Sequence, residues 1–334
     1  MTEKKSHTSL IVDALQYSNW SESIFSQMNE GGVSAVHVTI CYHEDFQEMV
    51  KNIICWNSFF DQYSSLIFQG YSYDDILKAK KEGRTAIFFG FQNCSPIEDD
   101  IGLVEICYRL GIRFMQLSYN NQSLLATGCY ENDDPGITRM GRQVIKEMNR
   151  LGLVVDMSHS ASKSTLEAIQ ISDRPIAITH ANPSFWYDAR RNKSNDILIS
   201  LGESGGMLGF SMYPHHLKNK SECSLEDFCS MIAKTADLIG VGNIGIGSDL
   251  CQNQSDNIVE WMRNGTWANE KDFGEGSKEM SGFPEQPNWF KSNMDFVKIK
   301  GGLSKIGFNE NEVELIMGLN WLKFFEKSFG KEDK

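Results

Sequence analysis

No apolar run in this chain reaches the length that a bilayer-spanning helix needs, which excludes that class of protein. The amino terminus, Met1-Thr2-Glu3-Lys4-Lys5-Ser6, lacks the apolar core of a secretory signal, and the first apolar run, from Leu10, is broken by Asp13. The eight cysteines include no CxxC pair; scattered in a mid-sized chain, they read as reduced thiols, and the expected location is the cytoplasm. Positive charge is scarce as well. With 32 Lys and Arg against 44 Asp and Glu, the net charge of −12 argues against nucleic acid or an anionic membrane as a partner. The densest basic run, Lys78-Ala79-Lys80-Lys81, reads as a solvated helix face. Neither GxGxxG nor GxxxxGK[ST] opens a helix, which weakens a nucleotide-binding reading. No repeat, low-complexity tract or linker interrupts residues 1–334, so one domain is expected.

What the chain does contain is a regular alternation. Strand-like apolar runs at 10–15, 33–40, 85–91, 113–118, 153–158, 175–179, 206–212 and 244–248 are separated by helix-like stretches such as 137–151, 162–172 and 224–240. Alternating β and α units imply parallel strands joined by crossover helices, and eight units in about 250 residues fit a (β/α)8 TIM barrel. Residues 252–293, with Trp261, Trp267 and Trp289, read as a long irregular lid or interface loop. Residues 294–330 read as two closing helices, with Asn309 and Glu312 as a capping signal.

In such a barrel the carboxyl ends of the strands carry the chemistry. Here they offer Leu15-Gln16-Tyr17, Cys41-Tyr42-His43, Gln92-Asn93, Tyr119-Asn120, His159, His180, Tyr213-Pro214 and Asp249. His159 and His180 end two apolar runs 21 residues apart, one strand–helix–strand step, so their imidazoles fall at one rim as natural transition-metal ligands. Asp249 is placed either to bind metal, to move protons, or to cap the following segment. Arg191 is a candidate carboxylate anchor, or else a surface arginine pairing with Asp188 or Asp196. His215-His216 reads as a loop.

Several motifs together resemble the membrane (renal dipeptidase-like) dipeptidase family of the amidohydrolase superfamily. They are Gly136-Ile137-Thr138, Met148-Asn149-Arg150-Leu151-Gly152, Asp156-Met157-Ser158-His159, Thr179-His180-Ala181-Asn182, Arg190-Arg191-Asn192, Gly245-Ile246-Gly247-Ser248-Asp249 and Asn320-Trp321-Leu322. The resemblance implies a two-zinc barrel that cleaves dipeptides, and a homodimer. His159 and His180 would bind one metal, a His-x-Asp pair the other, and a glutamate would bridge them. The aspartate would shuttle a proton, and an arginine would hold the substrate carboxylate.

This chain departs from that pattern at four positions: Leu15 and Tyr17 replace the His-x-Asp pair, Gln92 the bridging glutamate, and Tyr119 a histidine. The expectation is therefore a hydrolase with one zinc on His159, His180 and Asp249. Asp249 and Tyr119 are the catalytic candidates, and Arg191, Tyr119, Asn120 and Gln92 the substrate contacts. His43, Glu44 and Cys94 are possible replacement ligands. The alternative is a catalytically impaired barrel that binds a small carboxylated, N-methylated ligand among Tyr17, Trp20, Tyr42, Tyr119 and Tyr213.

Overall fold

The apolar runs pair as parallel strands buried on both faces, as β/α alternation demands. The computed structural model describes residues 9–329 apart from 266, 267, 272, 273 and 275, so the amino-terminal reading and Trp267 lie outside the described residues. The strands are β1 (Ile11–Gln16), β2 (Val33–Cys41), β3 (Ile67–Gln69), β4 (Thr85–Phe91), β5 (Ile112–Gln116), β6 (Val154–Asp156), β7 (Ala177–Ile178), β8 (Met207–Phe210) and β9 (Ile244–Ile246). Eight of them close a barrel in the order β1-β2-β4-β5-β6-β7-β8-β9, with β9 back on β1. This is the expected (β/α)8 architecture. The ninth, β3, pairs only with the first half of β4 and was not foreseen; three residues give too short a pattern to read.

Several strands stop short of their expected ends, and the reason bears on the site. Beyond Asp156 the ladder gives way to side-chain bonds: Ser158 and Thr179 donate their backbone N–H to Asp156 Oδ1. Ser248 does the same to Asp13 Oδ1, at 2.6 Å. The barrel rim is thus tied by buried carboxylates in place of backbone pairs.

Below the rim, the interior is filled by Val12, Ala14, Ala35, Ala86, Phe88, Phe114, Val154 and Met207, small facing large. The far mouth is plugged by Trp321, whose indole N–H donates to Ile246 O at 3.0 Å. A Cβ on Gly245 would sit 2.3 Å from that indole nitrogen, so only glycine admits the plug. Trp321 belongs to the closing helices, Phe296–Lys305 and then Glu310–Glu314, which runs through a π-turn at Leu315–Leu319 into Asn320–Ser328. Asn309 and Glu312 form the anticipated capping box. The segment 252–293 is not wholly irregular: it contains a helix, Asp256–Asn264, too short for its periodicity to stand out.

Candidate active site

β6 and β7 end side by side, and the residues just past them carry the two histidines. His159 Nδ1 lies 2.6 Å from Asn120 Oδ1, an acceptor, so this ring nitrogen holds the proton. His180 Nδ1 lies 2.8 Å from Thr179 Oγ1. That hydroxyl donates its own proton to Asp156 Oδ2, so it accepts from His180. Each neutral ring therefore spends its proton at Nδ1 and presents a bare lone pair at Nε2. The two Nε2 atoms stand 3.0 Å apart, facing each other. Burial, reinforced by the Arg191 guanidinium, pushes both rings well below the usual histidine range, so both are neutral at neutral pH. Two converging lone pairs repel unless a cation sits between them, and a transition metal is the cation imidazole nitrogens suit.

Arg191 is buried, with 1% of its surface exposed. It pairs with neither Asp188 nor Asp196: its Nη1 donates to Ser158 O and its Nη2 to His180 O at 3.0 Å, beside the two histidines. Its Nε–H has no partner among the described residues. Lys193, also buried, donates to Ser160 O at 2.7 Å, and burial brings its ammonium down to about 7. Asp249 follows β9 with a left-handed backbone (φ 57°), fixed by its N–H to Leu15 O at 3.0 Å. Burial raises its carboxyl to about 6 despite the opposing pull of Arg191. Asp249 and Asn219 are among the few non-glycine residues at positive φ, and Asp and Asn tolerate that region best.

One cavity gathers most of the sequence-derived set: Gln92, Tyr119, Asn120, His159, Arg191 and Asp249 all line it, with His180 fully buried behind His159. Among the described residues, however, no three His, Cys, Asp or Glu side chains come together to hold a metal. The expected third ligand, Asp249, thus does not complete the pair; its side chain meets Ser211 Oγ at 3.5 Å. The suggested substitutes fail too. Glu44 accepts the N–H groups of Tyr42 and His43, Cys94 donates to Leu117 O, and His43 Nε2 meets Met262 O.

Gln92 reaches the cavity, but its amide nitrogen is committed to Thr39 Oγ1 and the Tyr42 hydroxyl, each at 2.8 Å. Tyr119 stacks on His159 with ring centres 4.1 Å apart and meets Tyr42 edge-on. The aromatic cluster is only partly at the cavity. Tyr119 and Tyr213 line it, whereas Tyr17 and Trp20 open onto a separate pocket beside Trp56.

Sequence reasoning missed several lining residues. His215 and His216, read as a loop, sit on a single 3-10 turn, Pro214–His216, and both reach the cavity. The adjacent proline was the available signal for such a turn. Val259, Met262 and Arg263 arrive from the short helix Asp256–Asn264, and Tyr130 from a connecting segment.

Against known proteins, residues 13–260 match the family model for membrane dipeptidase (peptidase family M19). A dipeptidase, verJ, from Clonostachys rogersoniana is 26% identical over 211 residues, covering 62% of this chain and 54% of that protein. The chain spans about half the length of the curated relatives it matches. A crystal structure of an amidohydrolase from Pseudomonas aeruginosa superposes with a TM-score of 0.92 at 33% identity, over 97% of each chain. A metallopeptidase from Rhodobacter sphaeroides, solved with a phosphinate mimic of L-Ala-D-Ala, shares the fold at 15% identity with a TM-score of 0.80, over 97% of this chain and all of that one. The family model runs from within β1 to beyond β9, and the chain belongs to the membrane dipeptidase family.

Proposed function

We propose that this chain hydrolyses a dipeptide or related small amide at a site that holds one metal ion, zinc, between His159 and His180. The observation that carries the reading is the pair of Nε2 atoms facing each other 3.0 Å apart, each ring fixed by a hydrogen bond at its other nitrogen. The donor set supports one ion and not two: Leu15 is an apolar core residue, Tyr17 packs edge-on against Tyr42, and Gln92 is bound to hydroxyls. A bound zinc would supply a Lewis acid and an acidified water.

The chain's own groups do the rest. Asp249, with its carboxyl at about 6, is ionised at neutral pH; it takes the proton of the attacking water and returns it to the leaving amine. The unpartnered Nε–H of Arg191 is a donor for the substrate carboxylate. Asn120 fixes the ring of His159, and Tyr119 packs flat against it and walls the cavity. The helix Asp256–Asn264 acts as a lid that limits water. The alternative, a barrel that only binds an N-methylated ligand, loses support because Tyr17 and Trp20 face another pocket.

The test is metal content per chain in protein purified without chelator, beside His159→Ala/His180→Ala, together with amine release from a dipeptide panel. The expected result is about one zinc per chain, lost with activity in the variant. No metal after zinc is supplied, or two per chain, overturns the single-ion reading. Zinc without cleavage of any dipeptide overturns the hydrolase.

A further inference from the structure

The lid contributes a second guanidinium to the cavity. Arg263 lies on the helix Asp256–Asn264 and lines the same space as Arg191, His159 and Asp249. Its Nη1 donates to Ser281 O at 2.9 Å, and its guanidinium neighbours the Tyr213 side chain, opposing the upward push of burial on that phenol. These two contacts leave part of its five-donor fork unused. Among the described residues no carboxylate pairs with it. The backbone of Gly274 passes alongside: a Cβ there would lie 3.5 Å from Arg263 Nε, an ordinary packing distance. Among the described residues, the cavity lining holds two guanidiniums and one carboxylate, Asp249, in a chain whose net charge is −12. A local cationic excess of this kind, opposed to the sign of the whole molecule, is a recognition feature for anions.

Resting on the hydrolase reading above, we infer that Arg263 is a specificity-determining residue that selects dipeptides bearing a second carboxylate, that is, dipeptides with an aspartate or glutamate side chain. Arg191 sits at the floor beside the histidines and answers the carboxylate every dipeptide carries. Arg263 approaches from the lid and answers the additional one. A charge-assisted hydrogen bond of this type corresponds to about tenfold or more in affinity.

The experiment compares isosteric ligands that differ by one charge: Ala-Asp with Ala-Asn, and Asp-Ala with Asn-Ala. Equilibrium binding to chelator-treated protein is measured by calorimetry, so that cleavage does not intervene, and kcat/KM ratios are then measured on zinc-supplied protein. The inference expects the acidic member of at least one pair to bind about tenfold tighter. In Arg263→Gln that ratio collapses towards one, and in Arg263→Lys it is partly restored. Equal affinity within both pairs, or a preference that survives Arg263→Gln, overturns it. Absence of binding by all four ligands overturns it as well. Cleavage of the amide members without acidic preference refutes only this inference; cleavage of none, with binding intact, refutes only the hydrolase.

Discussion

The two halves of the barrel rim are built on the same underlayer and finished differently. On one side, buried Asp156 accepts from Ser158 and Thr179, and Thr179 in turn fixes His180. On the other, buried Asp13 accepts from Ser248 and from Gln16 Nε2, but the chain above it presents Leu15 and Tyr17. Each carboxylate closes a seam of the barrel: Asp156 joins β6 to β7, and Asp13 joins β1 to β9. Only the first also orients an imidazole. The seam carboxylate is thus a fastener in its own right, and losing ligands above it does not require losing the fastener.

The largest expected effect breaks the half that kept its donors. His180→Ala leaves a single nitrogen, and metal content is expected to fall from about one ion per chain to near zero. Retention of the ion would show that the other half supplies ligands after all. The next effect tests the fastener. Burial raises the Asp13 carboxyl to about 6 from 3.8, so the folded state holds its proton where the unfolded chain releases it. Stability contributed by this group is present below pH 4 and is lost as pH rises to about 6, by about 3 kcal/mol for a shift of roughly two units. Asp249 is shifted in the same direction, so the comparison is made between the wild type and Asp13→Asn, which share it. Urea unfolding at pH 4 and pH 7 is expected to favour the variant more at pH 7. Parallel pH profiles would show that Asp13 is not the group responsible.

Much of this comparison was legible in the residues themselves. Apolar runs ending in His159 and His180 gave both strands and placed the two imidazoles at one rim, because strand burial demands a specific residue type at a specific place. The substitutions at Leu15, Tyr17 and Gln92 were equally visible. What did not show was anything set by a side chain's second partner. The tautomers depend on Asn120 and on Thr179 acting through Asp156, contacts between residues up to 39 positions apart. Arg191 binds backbone carbonyls where a carboxylate was one expectation, and no pattern in its neighbourhood encodes that. Arg263 arrives on a nine-residue helix inside a segment read as irregular. A smaller effect follows from the first of these points. Asn120→Ala frees the ring of His159, and zinc affinity is expected to drop 10–100-fold, the usual range for an outer-shell partner. Competition with a chromophoric chelator measures it; an unchanged affinity would mean that Tyr119 stacking alone holds the ring.

The smallest expected effect probes the half that lost its ligands. Gln92→Glu restores the acidic residue type of the dipeptidase pattern, yet its surroundings are not those of a metal bridge. Gln92 Nε2 now donates to Thr39 Oγ1 and the Tyr42 hydroxyl. Either hydroxyl can turn its proton around, so a carboxylate at 92 would still be hydrogen-bonded, and the remaining cost is burial of the charge, about 1–2 kcal/mol. Tyr42 itself is fully buried between Tyr17 and Tyr119, at ring-centre distances of 4.8 and 5.2 Å, so the carboxylate meets phenol groups on that side of the site. Metal content in Gln92→Glu is therefore expected to stay at about one ion per chain while the urea midpoint falls slightly. A second ion taken up by this single substitution would mean that the tyrosines yield readily, and that the difference between the two halves rests on one amide.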